Sequence, residues 1–142
     1  MRNVLNQNKY RISENKAFDD VIEKCGTVKR KHDGETWITD DFKSTYSELH
    51  AMGFAKSIEA WNDQDELVCG LYGIEIGKVF FGESMFSSES NASKVCFIHL
   101  AQKLEVQGFS CLDCQAVNPH LKTLGAEEVS EAQFLELLEK NI

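Results

Sequence analysis

The chain has 142 residues, 42% hydrophobic and 27% charged, with 15 Lys and Arg against 23 Asp and Glu for a net charge of −8. That length suits one globular domain, able to bury about two-thirds of its unfolded surface. No apolar run reaches the roughly 20 residues that span a bilayer, and the acid excess argues against general nucleic-acid binding, which needs cations to displace counterions from phosphates.

An acidic surface instead favours a basic peptide or an amine. The opening MRNVLNQNKYRIS has no apolar stretch of the signal-peptide kind, so a cytoplasmic protein is expected. Residues 1–12 carry little pattern and are expected to form either a frayed lead-in, disordered over 1–9, or a short strand around Tyr10–Ile12. Ser13 is placed to cap a helix over Glu14–Lys24, with Ala17, Phe18, Val21 and Ile22 on one face and Gly26 as its stop. TVKRKHDGE then reads as a polar loop, and 26–35 as a linker. Thr39 caps a second helix whose Phe42, Tyr46 and Leu49 share a stripe, ending at Gly53.

From Ser57 the period becomes alternating. SIEAW, ELVCGLYGIEI and KVFFGESMF are three strand-like runs separated by NDQD and by a turn at Ile76-Gly77, an antiparallel meander. A buried helix over Ala92–Val106 follows, capped by Ser90 or Asn91 and carrying Val95, Cys96, Ile98, Leu100, Ala101 and Leu104; Gly108 stops it. FSCLDCQAV is a further strand, Pro119 marks a break, and HLKTLGA is a helical turn. A short strand near Glu127–Val129 precedes a last helix with the capping box Ser130-x-x-Gln133, burying Phe134, Leu137 and Leu138. A meander followed by a β-α-β crossover implies an α/β (α+β) domain, a mixed sheet with helices on both faces.

Five cysteines, an odd number, read as reduced thiols. Cys111 and Cys114 form a C-x-x-C, but positions three apart on a strand point to opposite faces, so a core role is expected rather than metal or redox chemistry. His50 is explained by a helix C-terminus, His99 by a hydrogen-bonded core position, and His120 by a loop. Asp113 and Gln115, two apart, share a strand face. If their strand lies beside the Phe80–Phe86 run, Glu83, Asp113 and Gln115 can converge. The free amides of the following helix would approach, over an apolar floor of Met85, Phe86, Leu71 and Leu112.

The blocks G-E-S-M-F-S (Gly82–Ser87), N-A-S-K (Asn91–Lys94), D-C-Q (Asp113–Gln115) and P-H-L-x-x-L-G-A (Pro119–Ala126), in this order and spacing, closely resemble the leucyl/phenylalanyl-tRNA–protein transferases. The resemblance runs from about Tyr10 to the C-terminus. It implies a GNAT-like fold over 1–142 that takes aminoacyl-tRNA as co-substrate in place of acetyl-CoA, with no cofactor and no metal. The implied reaction moves Leu or Phe, and less readily Met, to proteins that begin with Arg or Lys, as a tag for N-end-rule degradation. Met85, Leu71, Leu100, Leu104 and Leu112 then fall on positions lining the donor side-chain pocket, and Ser84 lies within the same substrate-binding block. Glu83 and Asp113 fall on acidic positions near the acceptor amine, and Gln115 on the residue that helps activate it.

Family members usually carry an N-terminal domain rich in aromatics and prolines, so the chain is expected to match their C-terminal catalytic domain alone. Positions facing tRNA are less basic than usual, with Ser88-Glu89-Ser90 and Glu131 where Arg is common and Lys56 where His is common. Two other readings stay open. One is a non-catalytic module that binds basic N-termini without tRNA; the other is an acyl-CoA N-acyltransferase of the same fold, although SSESNASK lacks the glycines that cradle a pyrophosphate.

Overall fold

A computed structural model describes residues 10–33, 39–114, 127 and 129–141, with backbone alone at 27–33 and at Ser90. Strand β1 (Arg11–Glu14) leads into helices α1 (Phe18–Asp33) and α2 (Asp40–Ala51). Strands β2 (Ala55–Trp61), β3 (Leu67–Ile76) and β4 (Val79–Ser87) form the meander. Helix α3 (Ser90–Val106), strand β5 (Cys111–Asp113) and helix α4 (Glu131–Asn141) complete the order. The five strands lie in sequence order; the first three pairings are antiparallel, and β5 joins β4 in parallel through the α3 crossover.

The sheet carries helices on both faces, each over its own core. On one, Ala92, Val95, Cys96, Leu100 and Leu104 of α3 pack on Ile58, Ala60, Cys69, Leu71 and Phe80. On the other, Phe18, Val21, Ile22 and Cys25 of α1 and Tyr46 of α2 pack on Ala55, Tyr72 and Phe86. Gly70 permits the second contact: a Cβ there would stand 2.7 Å from a Val21 methyl and 2.8 Å from the Phe86 ring.

Local caps form where the sequence places them. The Thr39 hydroxyl accepts from the Phe42 amide at 3.2 Å. The Ser130 hydroxyl accepts from the Gln133 amide at 3.1 Å, and Gln133 Oε1 accepts from the Ser130 amide at 2.9 Å. Gly53 and Gly108, with φ of 89° and 81°, follow the ends of α2 and α3 in the left-handed region that favours glycine.

Several expectations give way to tertiary contacts. Ser13 caps no helix: it lies in β1, donates to Glu59 Oε1 at 2.6 Å and accepts from Trp61 Nε1 at 2.8 Å. Helix α1 therefore starts at Phe18 and runs through Gly26 to Asp33, taking most of the expected loop. One glycine costs a helix about 1 kcal/mol, less than the burial of Val21, Ile22 and Cys25 returns. Glu89, not Ser90 or Asn91, is the N-cap of α3. Phe134, Leu137 and Leu138 are only half-buried on α4, which is held by Lys78 N donating to Asn141 O at 2.7 Å and Ser110 Oγ to Asn141 Oδ1 at 2.6 Å. His99 is not in the core; it pairs with Glu14 at 2.9 Å, both side chains being more than a third exposed. Of the strand expected at Glu127–Val129, positions 127 and 129 are described and neither is extended into a ladder. The expected 1–9 lead-in and the Pro119–Gly125 turn, with His120, lie outside the described residues.

Candidate functional site

The pairing of β3 with β4 slips by one residue at its centre. Gly73 faces Gly82 and Tyr72 faces Ser84, so Glu83 has no partner on β3 and stands as a β-bulge. Bulges re-aim side chains and bend the strand that carries them. Glycine is needed opposite: a Cβ on Gly73 would lie 2.3 Å from the Phe81 carbonyl oxygen and 2.5 Å from the Phe80 ring. Beside the bulge, β5 pairs with β4 only from Val79↔Cys111 to Phe81↔Asp113 and then ends.

A cleft of about 130 Å³ opens where β4 bulges and β5 stops. Its walls include Leu71, Met85, Phe97, Leu100 and Leu112 as an apolar side, and Tyr72, Glu83, Ser84 and Asp113 as a polar one. Neighbours on one strand normally point to opposite faces, yet Leu71 and Tyr72 both line it, as do Leu112 and Asp113.

Of the residues singled out from the sequence, Glu83, Ser84, Met85, Leu71, Leu100, Leu112 and Asp113 are brought together here. Phe86 and Leu104 are not among the lining residues. The bulge turns Phe86 to the opposite face, where it packs with α1, and Leu104 is 4% exposed within the α3 core. Gln115 lies outside the described residues. The α3 N-terminus does not line the cleft either: β4 runs four residues beyond Glu83, roughly 13 Å at strand rise. The later α3 residues Phe97 and Leu100 come back to it instead.

Two tyrosines that the sequence reading does not place at the site, Tyr46 and Tyr72, lie close enough to Glu83 to feel its charge. Burial first, and the nearby Glu83 carboxylate second, push the pKa of the Tyr46 phenol up. Burial, and after it Cys25, Tyr46 and Glu83, push the Tyr72 phenol up as well, so both keep their protons at neutral pH. Tyr72 is fully buried, and its hydroxyl has no hydrogen-bond partner among the described residues. Phe97 also escapes the sequence reading, because a helix stripe says which residues are buried and not which end of the core is open.

The remaining polar groups have other partners. Burial, and then the Asp113 carboxylate, raise the pKa of the Cys111 and Cys114 thiols, which disfavours the thiolate that metal binding or nucleophilic attack requires. No group of three or more His, Cys, Asp or Glu that could hold a metal occurs among the described residues. His50 bonds the Ala55 carbonyl oxygen at 2.8 Å and stacks on Phe18. No described helix is long and apolar enough to cross a membrane.

The family model for leucyl/phenylalanyl-tRNA protein transferase matches residues 1–139. A leucyl/phenylalanyl-tRNA–protein transferase of Syntrophobacter fumaroxidans is 45% identical over 142 residues, all of this chain and 60% of that protein. One from Christiangramia forsetii is 50% identical over 140 residues, 97% of this chain and 66% of that protein. The chain thus spans less than two-thirds of the length of these relatives. Among solved structures, a probable acetyltransferase superposes with a TM-score of 0.66 at 12% identity, covering 85% of this chain and 92% of that one. A Staphylococcus aureus acetyltransferase of the GNAT family superposes with a TM-score of 0.62 at 11% identity, covering 87% of each chain. At such identities the likeness concerns the fold, a GNAT-type mixed sheet with helices on both faces.

Proposed function

The chain belongs to the leucyl/phenylalanyl-tRNA protein transferase family, and from that premise we propose that it is a single GNAT-like aminoacyltransferase domain. Its reaction would carry Leu, Phe or Met from charged tRNA to the α-amine of proteins beginning with Arg or Lys. The product would be a cytoplasmic degradation tag of the N-end-rule kind. What supports this reading is one observation: Glu83 and Asp113 line the same cleft as Leu71, Met85, Leu100 and Leu112.

The chemistry asks little beyond placement. An aminoacyl ester is already activated, so no cofactor enters the proposal, and holding the amine against the carbonyl supplies most of the acceleration. The amine nitrogen attacks the ester carbonyl and a C–N bond forms. The C–O bond to the terminal ribose breaks, and the amine proton passes out as the ribose oxygen regains one. Asp113, acting through Gln115, orients the amine and relays that proton. Glu83 pairs with the cationic side chain of the acceptor's first residue. The apolar wall accepts Leu, Phe and Met, Met85 supplying an adaptable surface, and excludes polar donors through the cost of desolvating them.

The deciding experiment is transfer of labelled Leu or Phe from charged tRNA to a peptide beginning with Arg. The wild-type chain is expected to transfer, and Asp113→Asn and Gln115→Ala to lose transfer while staying folded. Undiminished transfer in both variants removes the proposed pair. The acid excess of the chain favours a second reading, a module that binds basic N-termini without tRNA. A transferase binds tRNA with an affinity that falls steeply as salt rises; an absence of tRNA binding at low salt selects the module.

A further inference from the structure

Strand β5 brings Asp113 to the cleft with little of its own to hold it there. It has three residues, all half-buried, and its ladder to β4 runs only from Val79↔Cys111 to Phe81↔Asp113. Parallel pairing is slightly less stable per residue than antiparallel. Asp113 forms the last pair, where a short ladder frays first.

The other end of that ladder is tied. Lys78 and Ser110 stand immediately before its first pair, and the Ser110 amide donates to the Lys78 carbonyl oxygen at 2.8 Å. Asn141 of α4 bonds both of them. The Lys78 amide donates to its carbonyl oxygen at 2.7 Å, and the Ser110 hydroxyl donates to its Oδ1 at 2.6 Å. The Asn141 side chain is itself aimed, because Nδ2 donates to the Leu137 carbonyl oxygen at 2.7 Å. No residue of α4 is fully buried, so the docking of this helix leans on these bonds.

We infer that Asn141 is a positioning residue for Asp113. By bridging Lys78 and Ser110 it fixes where β5 starts against β4, and through that strand it holds the Asp113 carboxylate at the cleft wall. The register matters because side chains alternate along a strand, and a slip of one residue exchanges the faces of Leu112 and Asp113. The consequence for transfer rests on the proposed role of Asp113 at the acceptor amine.

The test uses the full chain and three variants. Asn141→Ala removes the contacts to Ser110 and to the Leu137 carbonyl; Ser110→Ala removes the first of these alone; Asn141→Asp keeps an acceptor for the Ser110 hydroxyl. Hydrogen exchange is followed at β5 and β2, and transfer of labelled Leu from charged tRNA is measured against the concentration of a peptide beginning with Arg. In both alanine variants β5 amides are expected to exchange about fivefold faster, the worth of one hydrogen bond, with β2 amides unchanged. Their kcat should fall by about the same factor with KM for the peptide unchanged, the mark of a group misplaced for the reaction and not for binding. Asn141→Asp should recover most of both losses, and the double alanine variant should lose no more than Asn141→Ala alone.

Unchanged β5 exchange in both alanine variants overturns the inference. Faster exchange with wild-type kcat overturns its bearing on Asp113. Losses in Asn141→Ala that Ser110→Ala does not share assign the asparagine to the end of α4 and overturn it as well. A wild-type chain that transfers nothing overturns the proposed reaction and the catalytic consequence with it, while the exchange rates still decide whether Asn141 sets β5.

Discussion

Phe80 and Met85, five residues apart on one strand, pack into the same core beside α3. On a regular strand an odd separation puts side chains on opposite faces. The bulge at Glu83 inserts one residue and reverses the alternation, bringing Met85 back to the Phe80 face and sending Phe86 to the other. Glu83, the inserted residue, and Met85, which the insertion returns to the Phe80 face, both line the cleft.

The bulge depends on Gly73. A methyl group there meets the Phe81 carbonyl oxygen at 2.3 Å, and backbone cannot move aside as a side chain can. Gly73→Ala is expected to destabilise the fold by about 1–3 kcal/mol, read from the shift of the urea midpoint at constant slope. A wild-type midpoint would mean that the strand relaxes and that the register is not fixed by this glycine.

The fully buried Glu59 carboxylate accepts from Ser13 Oγ at 2.6 Å, from the Lys16 amide at 3.0 Å, and from Ser57 Oγ. It ties β1 and the start of α1 to β2. Glu59→Ala removes the acceptor of all three donors, of which the buried Ser57 hydroxyl is left unmatched at a cost of about 1–3 kcal/mol. Glu59→Gln keeps an acceptor and should cost less. Hydrogen exchange gives the local check: β1 amides should lose protection in the alanine variant before those of β3 do.

Glu14 sits between Lys103 at 2.8 Å and His99 at 2.9 Å. Hydrogen bonds from Lys103 first and His99 second hold its pKa below the ordinary carboxylate value of 4.5. A folded pKa below the unfolded one means stability that is present above the unfolded value and lost as pH falls through the folded one. The side chain is 37% exposed, so solvent screening keeps the contribution within about 1 kcal/mol. Glu14→Gln should therefore lower stability slightly at pH 7 and flatten its decline below about pH 4.5. Parallel acid limbs for the variant and wild type would remove this contact from the account.

Met85 lines the apolar wall while only half-buried, so it can be shortened with less damage to the core than Leu100, which is 3% exposed. Met85→Ala deepens the pocket and should favour the bulkier donor, raising kcat/KM for Phe over Leu by about tenfold. Competition between the two charged tRNAs in one reaction reads that ratio directly. An unchanged ratio would place the donor side chain elsewhere.

The sequence by itself determined whatever is decided within a few residues. Thr39 and the Ser130–Gln133 box form their caps because donor and acceptor lie three positions apart, and period-two runs became β2, β3 and β4 because half-buried strands alternate. The motif blocks and the residue before D-C-Q also carried Glu83, Met85, Leu112 and Asp113 to one place, since a helical crossover returns β5 parallel to β4. Tertiary structure alone decided that Ser13 serves a carboxylate 46 positions away, that α1 runs through Gly26, and that one unpaired residue swaps the faces of Met85 and Phe86. It also decided that Tyr46 and Tyr72 lie close enough to Glu83 to feel its charge. Contacts between distant segments have no period to read, and a bulge changes register without changing the letters that flank it.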